Sequence, residues 1–335
     1  MRRRLFAFFT IISLFPLLWA PAAAQSEGLV PVGRTVGLEL QMDGVYVVKF
    51  DSDDGTSPAE AAGLQVGDRI RAVDGAPMHR AEELRQRVEA SRGEALLFLV
   101  ERDGKALSFP VLPVSEPGGW RIGVYVRDRI RGLGTVTFFD PGSGLFGALG
   151  HGVNDSSGAC LSILGGLATE TEIASVRKGI SGTPGALQGG VQPGSCLGRV
   201  EENTPRGIFG TAEEGIWDGD CLPVAAREEI TTGPAEIWCN VEGRDIRHYT
   251  VEIEGLSFDG EPGKNLRIRI TDEALLAKTG GIVQGMSGSP IIQNGKLVGA
   301  VTHVLVRDPT RGYGILLENM LEASRLWNEA CPEAA

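Results

Sequence analysis

Short apolar runs separated by Gly, Pro, Asn and Asp breaks dominate this chain from residue 35 onward, and their spacing predicts strands more than helices. Val45-Tyr46-Val47-Val48 is a run of strong β-formers. Ser57-Pro58-Ala59 predicts a short helix with a side-chain cap and a proline in its first turn, ended by Gly63. Leu64 and Val66 are expected to point inward. After a turn at Gly67-Asp68, Ile70, Ala72 and Val73 resume a strand, and Asp74-Gly75 is a hairpin-type turn. Ala81 to Ser91 reads as an amphipathic helix with Leu84 and Val88 at i, i+4. Residues 94–112 predict a hairpin around Asp103-Gly104, and 115–119, Ser-Glu-Pro-Gly-Gly, a linker. From Trp120 the texture is all β, with almost no helical period before Leu317.

The chain opens differently. Arg2-Arg3-Arg4 precede an apolar stretch from Leu5 to Trp19, and Ala22-Ala23-Ala24 follow. A basic segment, an apolar core and a small-residue site describe a secretory signal over residues 1–24, removed or kept as an anchor. No other segment is apolar for long enough to span a bilayer. Composition narrows the rest. Of 335 residues 47 are glycine, roughly twice the usual share, which suits many tight turns. A net charge of −11 and the absence of a long basic run exclude a nucleic-acid partner. The five cysteines, Cys160, Cys196, Cys221, Cys239 and Cys331, contain no C-x-x-C pair, and the four histidines complete no zinc spacing, so neither metal nor cofactor is expected. An exported chain has room for one or two disulfides, with the pairing open and Cys331 as the odd one.

Residues 35–114, through Ser57-Pro58-Ala59 … Ala62-Gly63-Leu64 … Gly67-Asp68-Arg69-Ile70, resemble a PDZ domain of the bacterial protease-associated type. That resemblance implies a groove between a strand and the second helix, in which an extended peptide adds as a strand. The carboxylate-receiving loop would then be Thr35-Val36-Gly37-Leu38. A packing module with an empty groove is the other reading.

Two further segments carry chemistry. Residues 135–152 predict a hairpin turned by Asp140-Pro141-Gly142 and ending on His151 between Gly150 and Gly152. Residues 281–306 place a tight turn, Gly285-Met286-Ser287-Gly288-Ser289-Pro290, before a strand, an Asn294-Gly295 turn and a second strand through Leu297-Val298-Gly299-Ala300-Val301. Such a turn exposes the Ser287 hydroxyl while backbone N–H groups of Gly285 and Ser287 converge beside it, as an oxyanion hole requires. The pattern resembles the nucleophile turn of chymotrypsin-class serine proteases, which implies Thr302 and His303 on the wall of the substrate cleft. His151 before Ser287, 136 residues apart in the sequence, suits a base on one β-barrel and a nucleophile on the next. His79 and His248 are expected at the surface. Lys278 is expected at a helix end, where it would not serve a Ser–Lys pair.

Together the blocks 147–152, 205–211, 233–238 and 270–304 resemble the stage IV sporulation protein B family, PDZ-bearing serine peptidases of endospore-forming bacteria. The resemblance implies a mainly β fold, a PDZ domain followed by a double β-barrel peptidase domain over 120–325. It implies His151 as base, Ser287 as nucleophile and, by position, Asp272 as the orienting acid, with Asp155, Asp218 and Asp220 as rivals. It further implies limited, regulatory proteolysis, including autocleavage, in the signalling that activates a mother-cell sigma factor. The implied substrate is a membrane-associated regulator of sigma-factor processing in the space between forespore and mother cell, with membrane contact only through the N-terminal segment. The alternative is a catalytically silent scaffold that keeps both folds and only binds partner chains.

Overall fold

The computed structural model describes residues 28–51, 57–155, 158–259, 261 and 263–330. The N-terminal address segment and Cys331 lie outside the described residues. No helix among them is long and apolar enough to cross a membrane.

The first folded unit uses only part of its opening strand. β1 (Thr35–Phe50) bends at Met42–Val45, where its pairing register breaks and Gly44 takes φ +117°. Beyond the bend it pairs with β2 (Arg69–Val73), and β3 (Leu96–Arg102) and β4 (Lys105–Val111) extend that sheet. Between them lie α1 (Pro58–Ala61), whose Ser57 hydroxyl accepts the Glu60 N–H at 3.3 Å, and α2 (Ala81–Ala90), which buries Leu84 and Val88. These side chains pack with Val45, Val47, Leu64, Ile70 and Phe98 into one apolar cluster. Val66 departs from the expected pattern. It is 62% exposed, because Gly63 at φ +103° redirects the chain and only Leu64 enters the core.

Two closed barrels follow. The first holds β5 (Val124–Phe139), β6 (Leu145–Ala148), β7 (Ile163–Arg177), β8 (Ala186–Thr204) and β9 (Gly207–Ala212). Its ring runs β5-β6-β9-β8-β7-β1 and closes back on β5, every pair antiparallel. The first half of β1 is therefore a barrel strand. The second barrel comprises β10 (Gly233–Cys239), β11 (Arg247–Leu256), β12 (Leu266–Ile270), β13 (Pro290–Gln293), β14 (Lys296–Leu305) and β15 (Asp308–Leu316). It closes in the order β10-β11-β12-β15-β14-β13. α3 (Glu273–Thr279) lies between β12 and β13, and α4 (Leu317–Ala323) follows β15. Phe138 and Phe209 of the first barrel meet Leu297, Ala300 and Ile315 of the second, with Leu317 and Met320, in one buried cluster that joins the barrels.

The expected mainly β fold, a PDZ unit and two β-barrels, is what the chain adopts. Two details differ. Residues 115–119 are part of a small hairpin rather than a free linker, in which Trp120 N–H donates to Glu89 Oε2 at 2.9 Å. Cys160, Cys196, Cys221 and Cys239 all carry free thiols, so no disulfide joins them.

Candidate active site and peptide groove

His151 and Ser287 line one cleft of about 400 Å³ between the barrels, together with Leu133, Gly285, Thr302 and His303. His151 arrives through a sharp turn. Leu149 and Gly150 both sit at φ +69°. A Cβ at Gly150 would come within 2.8 Å of Ile315 Cγ2 and 2.9 Å of Thr302 Cγ2, so only glycine lets this loop press on the second barrel. His151 Nδ1 lies 2.9 Å from the Gly152 carbonyl oxygen. Because that oxygen only accepts, Nδ1 carries the proton and Nε2 is left bare. Burial pushes the imidazole below its ordinary pKa, with the Gly152 bond opposing, so the ring is neutral at pH 7.

The Ser287 turn is pinned differently. Gln284 N–H donates to Gly185 O, Met286 N–H to Val283 O, Gly288 N–H to Val301 O and Ser289 N–H to Met286 O. The two remaining donors of the turn, Gly285 N–H and Ser287 N–H, have no acceptor among the described residues, and both residues line the cleft. The Ser287 hydroxyl donates to the Thr302 carbonyl at 2.8 Å, not to His151. The structure thus brings the expected base, nucleophile and donors to one place, in a resting arrangement. Thr302 and His303 stand on β14 at the same cleft, and the His303 ring centroid is 5.1 Å from that of His151. Desolvation first, and then the neighbouring His151 and Lys264, push His303 below its ordinary pKa.

Asp272 is not where the sequence reading put it. Its Oδ1 accepts the Leu275 N–H at 2.8 Å, capping α3, and it does not line the cleft. A helix start leaves its first N–H groups without partners, and an aspartate directly before it satisfies one of them. The rivals are not placed on His151 either: Asp155 Oδ1 accepts the Ala159 N–H, and Asp218 and Asp220 line a separate hollow with Trp217. The ring's orienting partner is the Gly152 carbonyl. Lys278 forms an ion pair with Glu242 at the end of α3, as a helix-end lysine should. His248 stacks on Trp238, and His79 stands 3.6 Å from Asp43, both with half-exposed side chains. Among the described residues no group of three or more metal-ligating side chains converges.

The proposed carboxylate loop at Thr35, Val36, Gly37 and Leu38 is overturned. Val36 pairs with Gly134 on one side and Glu170 on the other, and Leu38 with Gly132 and Ala168. A strand paired on both edges has no N–H to offer a ligand. The groove beside α2 is instead walled by Trp120, Ile122, Val124 and Val126 against Leu84 and Val88. Here Gly123 sits at φ +66°, where a Cβ would stand 2.6 Å from Ser57 Cβ. Ile122 and Gly123 carbonyls are used by Ala59 N–H and Asp51 N–H. Among the described residues, the edge of β5 opposite β1 has no strand partner from Val124 to Leu133. The signal for this loop was present as Ile122-Gly123-Val124, the same apolar-Gly-apolar triplet as Val36-Gly37-Leu38.

A family model described as SpoIVB peptidase S55 matches residues 118–321, and a PDZ domain model matches 56–102. Over 62 residues the chain is 42% identical to the regulator of sigma-E protease RseP of Escherichia coli (strain K12), a match covering 18% of this chain and 14% of that protein. The chain therefore spans a small part of that relative's length. Among solved structures, the PDZ domain of an SdrC-like protein from Listeria monocytogenes aligns at 25% identity, covering 26% of this chain and 90% of that one, with a TM-score of 0.23. The active form of the Rv3671c protease from M. tuberculosis aligns at 15% identity over 59% of this chain and 73% of that one, TM-score 0.32. The thermostable serine protease AL20 aligns at 11% identity over 66% and 95%, TM-score 0.38. The first of the two family matches spans more than half of the chain, which is therefore a serine peptidase carrying a PDZ peptide-binding module and belongs to the SpoIVB peptidase S55 family.

Proposed function

We propose that this peptidase cuts peptide bonds with Ser287 as nucleophile and His151 as general base. The observation that carries the reading is the pattern of the nucleophile turn. Four of its six N–H groups from Gln284 to Ser289 are spent on backbone carbonyls, and the two left over belong to Gly285 and Ser287. In the resting state the Ser287 hydroxyl points at Thr302 O. Entry of a substrate chain turns it to His151 Nε2. That nitrogen takes the proton as Oγ bonds to the carbonyl carbon, the two N–H groups receive the oxyanion, and Nε2–H then protonates the leaving amine. The acid's usual task of fixing the tautomer falls to the Gly152 carbonyl.

The α2–β5 groove takes the end of an extended chain as an added strand on the free edge of β5, with the backbone around Gly123 receiving the carboxylate. The family relationship supports the wider setting: export by residues 1–24, limited proteolysis that includes autocleavage, and action on a membrane-associated regulator of sigma-factor processing between forespore and mother cell.

Fluorophosphonate labelling and peptide cleavage test the chemistry. Wild-type protein should label on Ser287, and Ser287→Ala should lose label and on the order of 10⁶ in kcat. Residual activity within about tenfold of wild type would place the nucleophile elsewhere, because removing a true one costs far more. A folded wild-type protein that takes no label would return the chain to the silent-scaffold reading. N-terminal mass spectrometry of the exported protein, with and without Ser287, tests removal of the address segment and autocleavage together.

A further inference from the structure

One buried residue outside the cleft holds both halves of the catalytic arrangement. Thr135, on β5, is fully buried. Its Oγ1–H donates to the Gly285 carbonyl at 2.7 Å, and its N–H donates to the Ser287 carbonyl at 2.8 Å. Its own carbonyl accepts the Leu149 N–H at 3.1 Å, two residues before His151. The turn is packed so closely on it that a Cβ at Gly288 would stand 1.9 Å from the Thr135 carbonyl oxygen.

The consequence lies in the peptide planes. A trans peptide fixes its N–H opposite its C=O, so the Ser287 N–H direction is set by the plane joining Met286 to Ser287. That plane sits between two others, Gly285–Met286 and Ser287–Gly288. Both are fastened at their carbonyls to Thr135, and at their N–H ends to Val283 O and Val301 O. The donor plane itself is held by Ser289, whose N–H and hydroxyl both reach Met286 O. Thr135 thus anchors the planes on either side of an oxyanion donor, while the third bond ties the same residue to the histidine turn. Behind it, Thr35 Oγ1 lies 3.3 Å from Thr135 Oγ1, and Thr35 N–H donates to Asn240 Oδ1 at 2.6 Å. The Thr135 hydroxyl proton is spent on Gly285, and the Thr35 hydroxyl proton has the Asn240 carbonyl as an acceptor at 3.5 Å.

We propose that Thr135 is a positioning residue for catalysis, and that its hydroxyl keeps the oxyanion-binding turn in register with His151. The inference rests on the reading of Ser287 as the nucleophile. Without the hydroxyl, the Gly285 carbonyl is left buried and unpaired, and the plane relieves this by rotating, which drags the adjacent donor off its line. The loss should fall on the transition state, because the peptide carbonyl of a bound substrate needs the aligned donors far less than the developing oxyanion does.

The test compares Thr135→Val, Thr135→Ser and Thr137→Val, with Ser287→Ala as the reference for a dead site. Thr137 is the internal control: it lies two residues along β5, is fully buried, and its Oγ1 has no partner among the described residues. Active-site titration normalises for the folded fraction. A short chromogenic peptide gives kcat and KM, and a peptide boronate, whose tetrahedral adduct mimics the intermediate, is compared with the cleaved product peptide. Thr135→Val should lower kcat by about 10- to 100-fold with KM within twofold, below the loss seen when a donor itself is deleted. Boronate affinity should fall by the same factor and product affinity should not move. Thr135→Ser should recover most of the activity, and Thr137→Val should be silent. Should Thr135→Val not fold, Thr135→Ala carries the same expectations. If Thr135→Val keeps kcat within twofold while Ser287→Ala is dead, or if the loss appears in KM alone, the inference fails and the nucleophile stands. If Ser287→Ala stays active, the reading beneath it fails.

Discussion

Val36-Gly37-Leu38 and Ile122-Gly123-Val124 are near-copies in sequence and opposites in structure. The first triplet lies in β1, hydrogen-bonded to β7 and β5 on its two edges, buried on the catalytic side of the molecule. The second leads into β5 beside α2, with Gly123 at φ +66° and a free strand edge following it. In the first, glycine is a buried strand residue with no positive φ. In the second, it is a backbone hinge that only glycine adopts without strain. Local pattern does not decide between these fates; the partners available to each edge do. The two triplets are also joined, because β1 and β5 pair antiparallel along most of their length and each spans the PDZ unit and the first barrel. β5 shows the transition along its own length: its residues alternate in exposure from Val124 to Ile130, and Gly134 to Phe138 are all buried.

The same substitution at the two glycines separates their roles. Gly37→Val places a branched side chain at a buried strand position paired on both edges. Overpacking of this kind costs about 1–3 kcal/mol, a Tm lower by roughly 2–12 °C, and should carry a loss of cleavage with it. Peptide binding in the α2–β5 groove should survive wherever the protein remains folded. Gly123→Val should do the reverse. It forces a β-branched residue to positive φ against Ser57, so a free-acid peptide should bind at least about tenfold more weakly, some 1.4 kcal/mol. Cleavage of a short peptide that reaches only Ser287 should stay within twofold. Calorimetry with free-acid and amidated peptides, beside a short-substrate rate assay, reads both arms. Loss of peptide binding in Gly37→Val with retention in Gly123→Val would reverse the two assignments.

What the residues made legible was local. Asp74-Gly75, Asp103-Gly104 and Asn294-Gly295 all turn through positive φ as hairpin dipeptides should. Ser57 caps its helix, and Leu84 and Val88 are the buried pair of α2. His151 and Ser287 were readable because their glycine-rich settings are sequence-local; Gly152 and Gly288 prove to be close approaches of backbone to backbone, and Gly150 and Gly285 close approaches of backbone to side chains. What was not legible depended on distant partners. Residues 35–38 looked like a loop because nothing near them in sequence reveals Gly134 or Glu170 as neighbours. Thr135 carried no signal at all, since its importance lies in three bonds to residues 14 to 152 positions away in the chain. Asp272 carries a signal of a different role. An aspartate directly before Glu273-Ala274-Leu275-Leu276-Ala277-Lys278 is a helix-start signature, and capping claims its carboxylate before any histidine can.

The smallest expected effect separates the cleft from the groove by pH alone. A general base must be unprotonated in the free enzyme, so with His151 in the proposed role the acid limb of kcat/KM should follow His151. Burial holds that ring below its ordinary value, so wild-type activity should persist at pH below 6.5, falling only as the lowered pKa is crossed. His303 covers one side of the ring, with centroids 5.1 Å apart. Removing it in His303→Ala lets water reach His151, which reduces the cost of charging the ring. That raises the His151 pKa, so the acid limb should move to higher pH, toward 6.5, with the pH-independent maximum little changed. The groove lies beside α2 and the first turn of β5 and contains neither histidine. Peptide affinity measured over the same pH range should therefore be identical in His303→Ala and wild type. An acid limb that stays in place, or that moves to lower pH, would mean that His303 does not shield His151. A matching shift in peptide affinity would mean that cleft and groove do not titrate independently.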